Sequence, residues 1–377
     1  FRMGDFYEMF FGDARLVSEL LGITLTSRSK DRDGDKIPMA GVPVKSVDNY
    51  IKRLVEMGHR VAICEQIEDP RLAKGIVDRE VVRVVTPGTF IEEGSLEDHV
   101  PLHLAALRPS SQGPVGIAWV DLSTGRFHCD ELKPGEGTDT LLTVAPRELL
   151  LPEGYGTDGD HHIEWLQAHF PSCVITRWPE WHFEAEPARE KLLSHFSTGT
   201  LDGFGIEHLR AGLAASGALL EYLRQTQRQA LPHITSLRAG SSGRCLGLDA
   251  SSHQALDLLE VSRTGEKRGS LLDLLDHTRT AMGARLLREW VQAPLIEKEP
   301  ILARQAGVAT LVRDGSLGDQ IVECLRQVRD IERLSSRLPL GRVHGRDLRA
   351  LSGSLAAVPV LKGLLSGIEA LRFRELD

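Results

Sequence analysis

The sequence predicts a multidomain protein in which two α/β units are followed by an all-α unit. Strand and helix patterns alternate through residues 1–232, whereas strand patterns fade after about residue 245 and apolar stripes at helical spacing replace them. A chain of 377 residues is also long enough for two to four domains that each have a core.

The first unit, residues 1–90, begins with a predicted β-hairpin that turns at Gly4-Asp5. Amphipathic helices are predicted over "DARLVSELLG", which ends at Gly22, and over "VDNYIKRLVEMG". The stretches "HRVAICEQI" and "REVVRVVTPGT" predict strands. Together these elements predict a small α/β domain.

The second unit, residues 97–232, contains two predicted strands in "GPVGIAWVDLSTGRFHC", on either side of a turn at residues 123–125. The stretches "RELLLPE" and "CVITRW" predict further strands, and "GLAASGALLEYLRQTQRQAL" predicts a helix that ends near Pro232. We therefore expect a second α/β domain.

The third unit, residues 236–377, contains three apolar stripes at helical spacing. The first comprises Leu271, Leu272, Leu275, Met282, Leu286 and Trp290, and stops before Pro294. The second comprises Ile321, Leu325, Val328, Ile331, Leu334 and Leu338, and the third comprises Leu348, Leu351, Leu355, Val358 and Leu361. These stripes predict an all-α domain of long helices.

The charge is distributed unevenly along a chain whose net charge is −8. Residues 1–90 carry 14 basic and 14 acidic side chains, residues 91–240 carry 11 and 21, and residues 241–377 carry 20 and 18. The acidic middle part is repelled by phosphates, whereas both flanking parts can approach nucleic acid.

The five cysteines are widely spaced and odd in number, and the sequence contains no Cys-x-x-Cys motif. This pattern argues against a disulfide framework or a zinc site and favours a reducing cytoplasm. The sequence has no run of about 18 apolar residues and no visible signal peptide, so we expect no membrane span.

Phe6 and Glu8 stand two residues apart on the second strand of the predicted hairpin, so their side chains share one face. A protruding aromatic ring can wedge into a base stack, and a neighbouring carboxylate can hydrogen-bond to a base. The spacing taken alone fits a core phenylalanine beside a solvated glutamate better, so both interpretations stay open at this point.

The segment Ile37–Pro43 combines two prolines with small residues. Its stiff backbone can lie close against a ligand or form an ordinary edge loop. Arg28, Lys30 and Arg32 precede it and can contact phosphates, although the acidic residues between them fit a solvated loop equally well.

Asp121 lies at the end of a predicted strand, where ribonuclease H-like nucleases place a metal-binding carboxylate. An enzymatic interpretation, a nuclease of this kind, is therefore open. Such a metal site needs several carboxylates, and the candidates are Asp130, Glu131 and Glu148. An aspartate that caps a turn explains Asp121 more simply. The Gly-rich pattern at residues 154–159 is too acidic for a dinucleotide, and the absence of any Gly-Lys dipeptide argues against a P-loop.

Eight separated motifs resemble, in order and approximate spacing, those of the MutS family of DNA mismatch-repair proteins. They are FRMGDFYEMF, IPMAGVP, VAICEQIEDP, VVRVVTPGT, VDLSTGRF, LPHI, LLDHTRTAMGARLLREWVQAPL and DIERLSSRL. The resemblance covers essentially the whole chain. It implies a mismatch-binding domain, a ribonuclease H-like connector domain without nuclease activity, and an all-α core or lever domain.

The resemblance also implies a set of DNA-reading residues. Phe6 is expected to wedge into kinked DNA from the minor groove and stack on a mispaired or unpaired base, and Glu8 to hydrogen-bond to that base. The residues expected along the duplex are Met3, Asp5, Arg28 and Met39.

Further partners implied by the resemblance belong to the full-length family, whose members are more than twice this long. They continue to a DNA clamp and a dimerising P-loop ATPase, so ATP, Mg²⁺ and a homodimer are expected there, with no cofactor and no enzymatic activity in this chain. Because full-length members continue beyond the segments that match, the resemblance implies that this chain is an N-terminal fragment. Its first residue, Phe1, is not methionine, so we also expect the native chain to start earlier.

A MutL-type partner is expected on the connector domain, in a bacterial, cytoplasmic and nucleoid-associated protein. Two alternatives remain beside mismatch reading. One is the nuclease centred on Asp121, and the other is a partner-docking scaffold that does not bind DNA.

Overall fold

The computed structural model describes residues 1–27, 34–68, 77–91, 100–110, 113–133, 137–156, 161–240, 244–341, 343–366 and 368. Its strands are β1 Arg2–Met3, β2 Phe6–Phe10, β3 Met39–Pro43, β4 Val61–Gln66, β5 Arg79–Val85, β6 His103–Arg108, β7 Val115–Asp121, β8 Arg126–Leu132, β9 Glu148–Pro152, β10 Val174–Trp178 and β11 Leu237–Ala239. Its α-helices are α1 Phe11–Leu21, α2 Val47–Glu56, α3 Gly137–Val144, α4 His161–His169, α5 Ala185–Phe196, α6 Arg210–Gln227, α7 Ala250–Ala255, α8 Leu271–Leu275, α9 Ala281–Gln292, α10 Lys298–Arg313, α11 Gly315–Leu325, α12 Ile331–Arg337 and α13 Gly345–Leu365.

The described residues of the N-terminal unit form two small antiparallel sheets, the helices α1 and α2 and a short 3-10 helix, Val44–Ser46. Strand β2 is central in a sheet of order β1-β2-β3, and β4 pairs with β5 in a second sheet. Helix α1 ends as predicted at Gly22, whose φ of 68° is left-handed and whose N–H donates to the Ser18 carbonyl at 3.0 Å. Val17, Leu21 and Leu54 form a core between the two helices and the first sheet. The predicted hairpin and both predicted helices are therefore confirmed.

A six-stranded mixed sheet, in the order β10-β9-β6-β7-β8-β11, organises the second unit. Strands β6, β7 and β8 are antiparallel neighbours, whereas β9, β10 and β11 run parallel to the strands they pair with. Helix α6 packs so tightly on β7 that a side chain at Gly116 would collide with the Ala211 carbonyl. The four strands predicted for this unit are confirmed as β7 to β10.

The third unit contains the helices α7 to α13, and among its described residues 244–341 and 343–366 only isolated β-bridges accompany them. The second apolar stripe does not form one continuous helix as predicted. Helix α11 ends at Leu325, and Asp330 begins α12 by accepting a hydrogen bond from the Arg333 backbone N–H at 3.1 Å. The stripe predicts packing in part: Val328 is buried in a cluster against which Ile331 packs, whereas Leu338 is exposed.

Helix α13 carries the third predicted stripe as one helix of 21 residues, with Pro359 inside it. By length and composition alone it is apolar enough to cross a membrane. Because core helices of other proteins pass the same test, this property is weak support for a span. The expectation that no segment crosses a membrane stays a prediction.

Candidate nucleic-acid interface

Strand β2 presents two different faces, and the candidate site lies on one of them. Phe6 pairs with Pro43 of strand β3, and Glu8 pairs with Gly41. Directly paired residues of antiparallel strands point to the same side of the sheet. Phe6 and Glu8 therefore share their face with Pro43 and Gly41, while Tyr7 points to the opposite face.

Phe6 is exposed over 45% of its surface, although it lies in the central strand of its sheet. Two further exposed phenylalanines, Phe1 and Phe11, flank the strand in sequence. Scattered exposed aromatic residues are common, so this exposure excludes a core position without assigning a ligand. The core interpretation of Phe6 is therefore wrong.

Glu8 is only 9% exposed, in contrast to Phe6 on the same face. Its backbone N–H donates to the Phe1 carbonyl at 2.9 Å, and the Phe1 amino group donates to the Glu8 carbonyl at 3.0 Å. These bonds fix the strand at the position from which the carboxylate projects. A solvated strand glutamate, the simpler of the two interpretations, is also wrong.

The opposite face of β2 is anchored to the second sheet. The Tyr7 hydroxyl donates to Glu65 of β4, and Arg2 lies 3.6 Å from the Glu65 carboxylate. Burial, together with the hydrogen bond to Glu65, raises the pKa of Tyr7 to about 12, so the phenol keeps its proton and donates at neutral pH. The Arg79 Nε also donates to the Arg2 carbonyl at 3.2 Å. Strand β2 is therefore anchored to β4 through Tyr7, and its hairpin partner β1 is anchored to β5 through Arg79.

The other predicted DNA contacts differ in their positions. Met3 is half-buried, with its Sδ 3.2 Å from Arg79 Nη2, and Asp5 is exposed in the hairpin turn. Met39 is 5% exposed, so its side chain belongs to the domain core. Arg28 lies outside the described residues. The hairpin thus groups Met3, Asp5, Phe6 and Glu8, and their contact with DNA stays a prediction.

The carboxylates proposed for a nuclease do not converge. Asp121 is buried and accepts hydrogen bonds from the backbone and hydroxyl of Ser123, at 2.9 and 2.6 Å, as a turn-capping residue does. Asp130 Oδ1 accepts from the Glu131 N–H at 2.8 Å. Within the described part of the chain, no three His, Cys, Asp or Glu side chains are grouped as metal ligands. Nothing in this region supports the nuclease alternative.

Glu148 is fully buried and joins the first two units. Its Oε2 accepts from the Thr86 hydroxyl at 2.5 Å and from the Gly88 N–H at 3.0 Å. Its Oε1 accepts from the Thr176 hydroxyl at 2.7 Å and from the Tyr222 hydroxyl at 2.6 Å. Four donors compensate a buried carboxylate that would otherwise be strongly destabilising. The role of Glu148 is therefore structural.

Charged residues connect the second unit to the helices of the third. Arg285 is 2% exposed and donates to both Asp330 oxygens, at 2.6 and 2.9 Å, and to Glu332 at 2.8 Å. Arg126 of strand β8 reaches Glu332 and also lies 3.2 Å from Glu289. A cavity of about 600 Å³ lies beside these residues, between the mixed sheet and helix α9. The ion pairs of Arg126 with Glu289 and Glu332 thus link the second unit to the third.

Comparison with known proteins identifies relatives of the entire chain. Residues 1–94 match the family profile described as MutS domain I, residues 103–235 match MutS domain II, and residues 251–376 match MutS domain III. A protein named DNA mismatch repair protein MutS from Desulfosudis oleivorans is 43% identical over 371 residues, which make up 98% of this chain and 42% of that protein. A protein of the same name from Syntrophomonas wolfei subsp. wolfei is 42% identical over 372 residues, 97% of this chain and 42% of that protein.

The chain thus spans about two-fifths of the length of these relatives. The three matched stretches follow one another in order and leave only short segments unmatched. The chain therefore belongs to the MutS family of DNA mismatch-repair proteins.

Proposed function

We propose that the face of strand β2 that carries Phe6 and Glu8 reads mispaired or unpaired bases in duplex DNA from the minor groove. The observation that supports this most is the exposure of Phe6, 45%, on a strand whose other face is anchored through Tyr7. Membership of a mismatch-repair family supplies the class of ligand.

Insertion of Phe6 into the duplex depends on the free energy needed to deform DNA. Inserting an aromatic side chain between bases requires unstacking, at about a few kcal/mol per step, and bending of the duplex. A mispaired base has lost pairing energy, so it is displaced more easily than a paired base. Stacking of the base on Phe6 returns about 1–3 kcal/mol. The protein therefore senses deformability more than base identity.

Glu8 adds selectivity. Phosphates repel its carboxylate, so Glu8 opposes binding wherever no base reaches it. A displaced base can donate a hydrogen bond to the carboxylate, or accept one if Glu8 is protonated. Its low exposure, 9%, restricts such a contact to a base that has left the stack.

The second and third units complete the proposal. The strand order β10-β9-β6-β7-β8, with three antiparallel strands followed by parallel ones, supports a ribonuclease H-like connector, and α7 to α13 support a core or lever domain. For the full-length protein we propose ATP-dependent clamping, homodimerisation and docking of a MutL-type partner on the connector. No residue of this chain is assigned to ATP or Mg²⁺, because its sequence lacks a P-loop.

Fluorescence anisotropy tests the proposal. A labelled duplex with a G·T pair or an unpaired T is compared with its matched control, for the wild-type chain and for Phe6→Ala. We expect the wild type to prefer the mismatched duplex and Phe6→Ala to bind both equally. A wild type without preference, or a Phe6→Ala variant that keeps it, contradicts the proposal.

A further inference from the structure

Gly41 lies directly opposite Glu8 in the pairing of strands β2 and β3. Its backbone conformation lies outside the left-handed region, so the fold does not require glycine for its φ angle. Glycine in a strand often marks a place where a ligand or another backbone comes close.

The space next to Gly41 also does not require glycine for packing. A Cβ built there would lie 3.5 Å from the Glu8 Cγ and from the Tyr7 carbonyl oxygen, and 3.9 Å from the Phe6 Cδ1. These are ordinary contact distances, in contrast to Gly116, where a side chain would collide with backbone. Alanine is therefore sterically acceptable to the protein at position 41.

The vacant volume lies between the two reading side chains. A side chain at position 41 would leave the sheet on the face of Phe6 and Glu8, because directly paired residues share a face. Its first carbon would touch the Glu8 stem, and a larger side chain would extend over the carboxylate. Glu8 is already 91% covered, so little other surface remains through which a base can reach it.

We infer that Gly41 is a further specificity-determining residue, which keeps open the notch through which a displaced base reaches Glu8 beside the Phe6 ring. This inference rests on the proposed mismatch reading. Gly41 does not itself hydrogen-bond to the base. It acts because it has no side chain to block the base. On the same face, the next residue pair is Phe6 with Pro43.

The test uses Gly41→Ala and Gly41→Val in the full chain, with Gly199→Ala as the matched control. Gly199 is exposed in the second unit and has nothing within 4 Å of a built Cβ. Affinities for the unpaired-T duplex and its matched control are measured by anisotropy. We expect Gly41→Ala to lower the mismatch-to-match ratio at least about threefold, Gly41→Val to lower it as far as Glu8→Ala does, and Gly199→Ala to leave it unchanged.

Two further measurements separate access from folding and from the proposed function. Valine favours strands, so both Gly41 variants should keep the wild-type circular dichroism, and loss of the fold would overturn the inference. In a Glu8→Ala background, Gly41→Ala should have no additional effect on the ratio. If Gly41→Val keeps the wild-type ratio while Phe6→Ala loses it, the Gly41 inference fails and mismatch reading stands. If Phe6→Ala keeps the ratio, both fail.

Discussion

Phe6 and Glu8 leave strand β2 on the same face, yet 45% of Phe6 is exposed and only 9% of Glu8. Under the proposed function, the two side chains would therefore meet the DNA one after the other. The exposed Phe6 ring would be contacted first. Glu8, which is buried, would be contacted only by a base that has already moved past the Phe6 ring. This order matches a mechanism in which deformation of the duplex precedes inspection of the displaced base.

Replacing Phe6 by leucine tests whether a flat ring is needed. Phe6→Leu keeps apolar volume but loses stacking, so we expect affinity for the unpaired-T duplex to fall by about 1–3 kcal/mol, with little change for matched DNA. Phe11→Leu is the matched control, since Phe11 is another exposed phenylalanine next to the strand. Equal losses in both variants, measured by anisotropy, would show that general apolar contact explains the binding.

Removing the Glu8 carboxylate should separate selectivity from affinity. We expect Glu8→Ala to reduce the mismatch-to-match ratio while matched-duplex binding stays constant or rises, because a charge repelled by phosphates has gone. Glu19→Ala, at an exposed position of helix α1, controls for the change in net charge. DNA-binding titrations at two salt concentrations distinguish loss of the base contact from reduced repulsion by phosphates, because only the repulsion depends strongly on salt. A Glu8→Ala variant with an unchanged ratio would exclude the base contact.

The buried carboxylate of Glu148 should contribute strongly to stability. In Glu148→Gln an amide NH₂ replaces one oxygen that accepts two hydrogen bonds, so buried donors lose their partner. We expect the free energy of unfolding in urea to fall by about 2–4 kcal/mol. Glu153→Gln, an exposed neighbour, should change it little. Equal stability of the two variants would refute the structural role of Glu148.

Lysine should replace only part of the contribution of Arg285 to the stability of the third unit. Its guanidinium donates to Asp330 in a bidentate arrangement and also to Glu332, which a single ammonium group cannot reproduce. We expect Arg285→Ala to lower the free energy of unfolding by about 3–5 kcal/mol, and Arg285→Lys by a smaller but clear amount. Arg313→Ala, at an exposed end of α10, is the control. A minor loss in Arg285→Ala would contradict this assignment.

His128 should make stability depend on pH. Burial, together with the nearby positive charges of His103, Arg238 and Arg126, lowers the pKa of His128 to about 4. In the unfolded chain His128 has its ordinary pKa of about 6.5, so it binds a proton more readily than in the folded protein. The stabilising contribution of neutral His128 is therefore complete above about pH 6.5 and is lost as the pH falls towards 4. Between pH 7.5 and 5, wild type should lose about 2 kcal/mol more than His128→Gln. Exposed His277→Gln should lose as much as wild type; identical pH profiles for all three would contradict the prediction.

Elements specified by neighbouring residues were predictable from the sequence, whereas contacts between distant segments were not. Gly22 ends helix α1 through its own backbone conformation, so the local pattern suffices. Strand β6 has little alternation because it is covered on both faces, which hides it from a period-two pattern. The Tyr7–Glu65 and Glu148–Tyr222 hydrogen bonds join residues 58 and 74 positions apart. Their donors and acceptors carry no local signal of being partners.

At the candidate site, the sequence identified the shared face of Phe6 and Glu8 but not their unequal exposure. That inequality belongs to the folded sheet, in which Glu8 is buried opposite Gly41 and Phe6 stays exposed opposite Pro43. Met39 shows the converse: a residue expected along the duplex is buried, because its strand forms part of the domain core. Position within the sheet, which spacing does not encode, decides both outcomes.

The most direct test of base reading by Phe6 places the fluorescent analogue 2-aminopurine at the mispaired position and follows its emission at saturating protein. Because this emission responds to stacking, it reports whether the base leaves the duplex stack and meets a ring. We predict a clear change on binding of wild type and emission close to that of the free duplex with Phe6→Ala, while anisotropy confirms that the DNA is bound. The same change in both proteins would contradict the central claim that Phe6 reads the mispaired base.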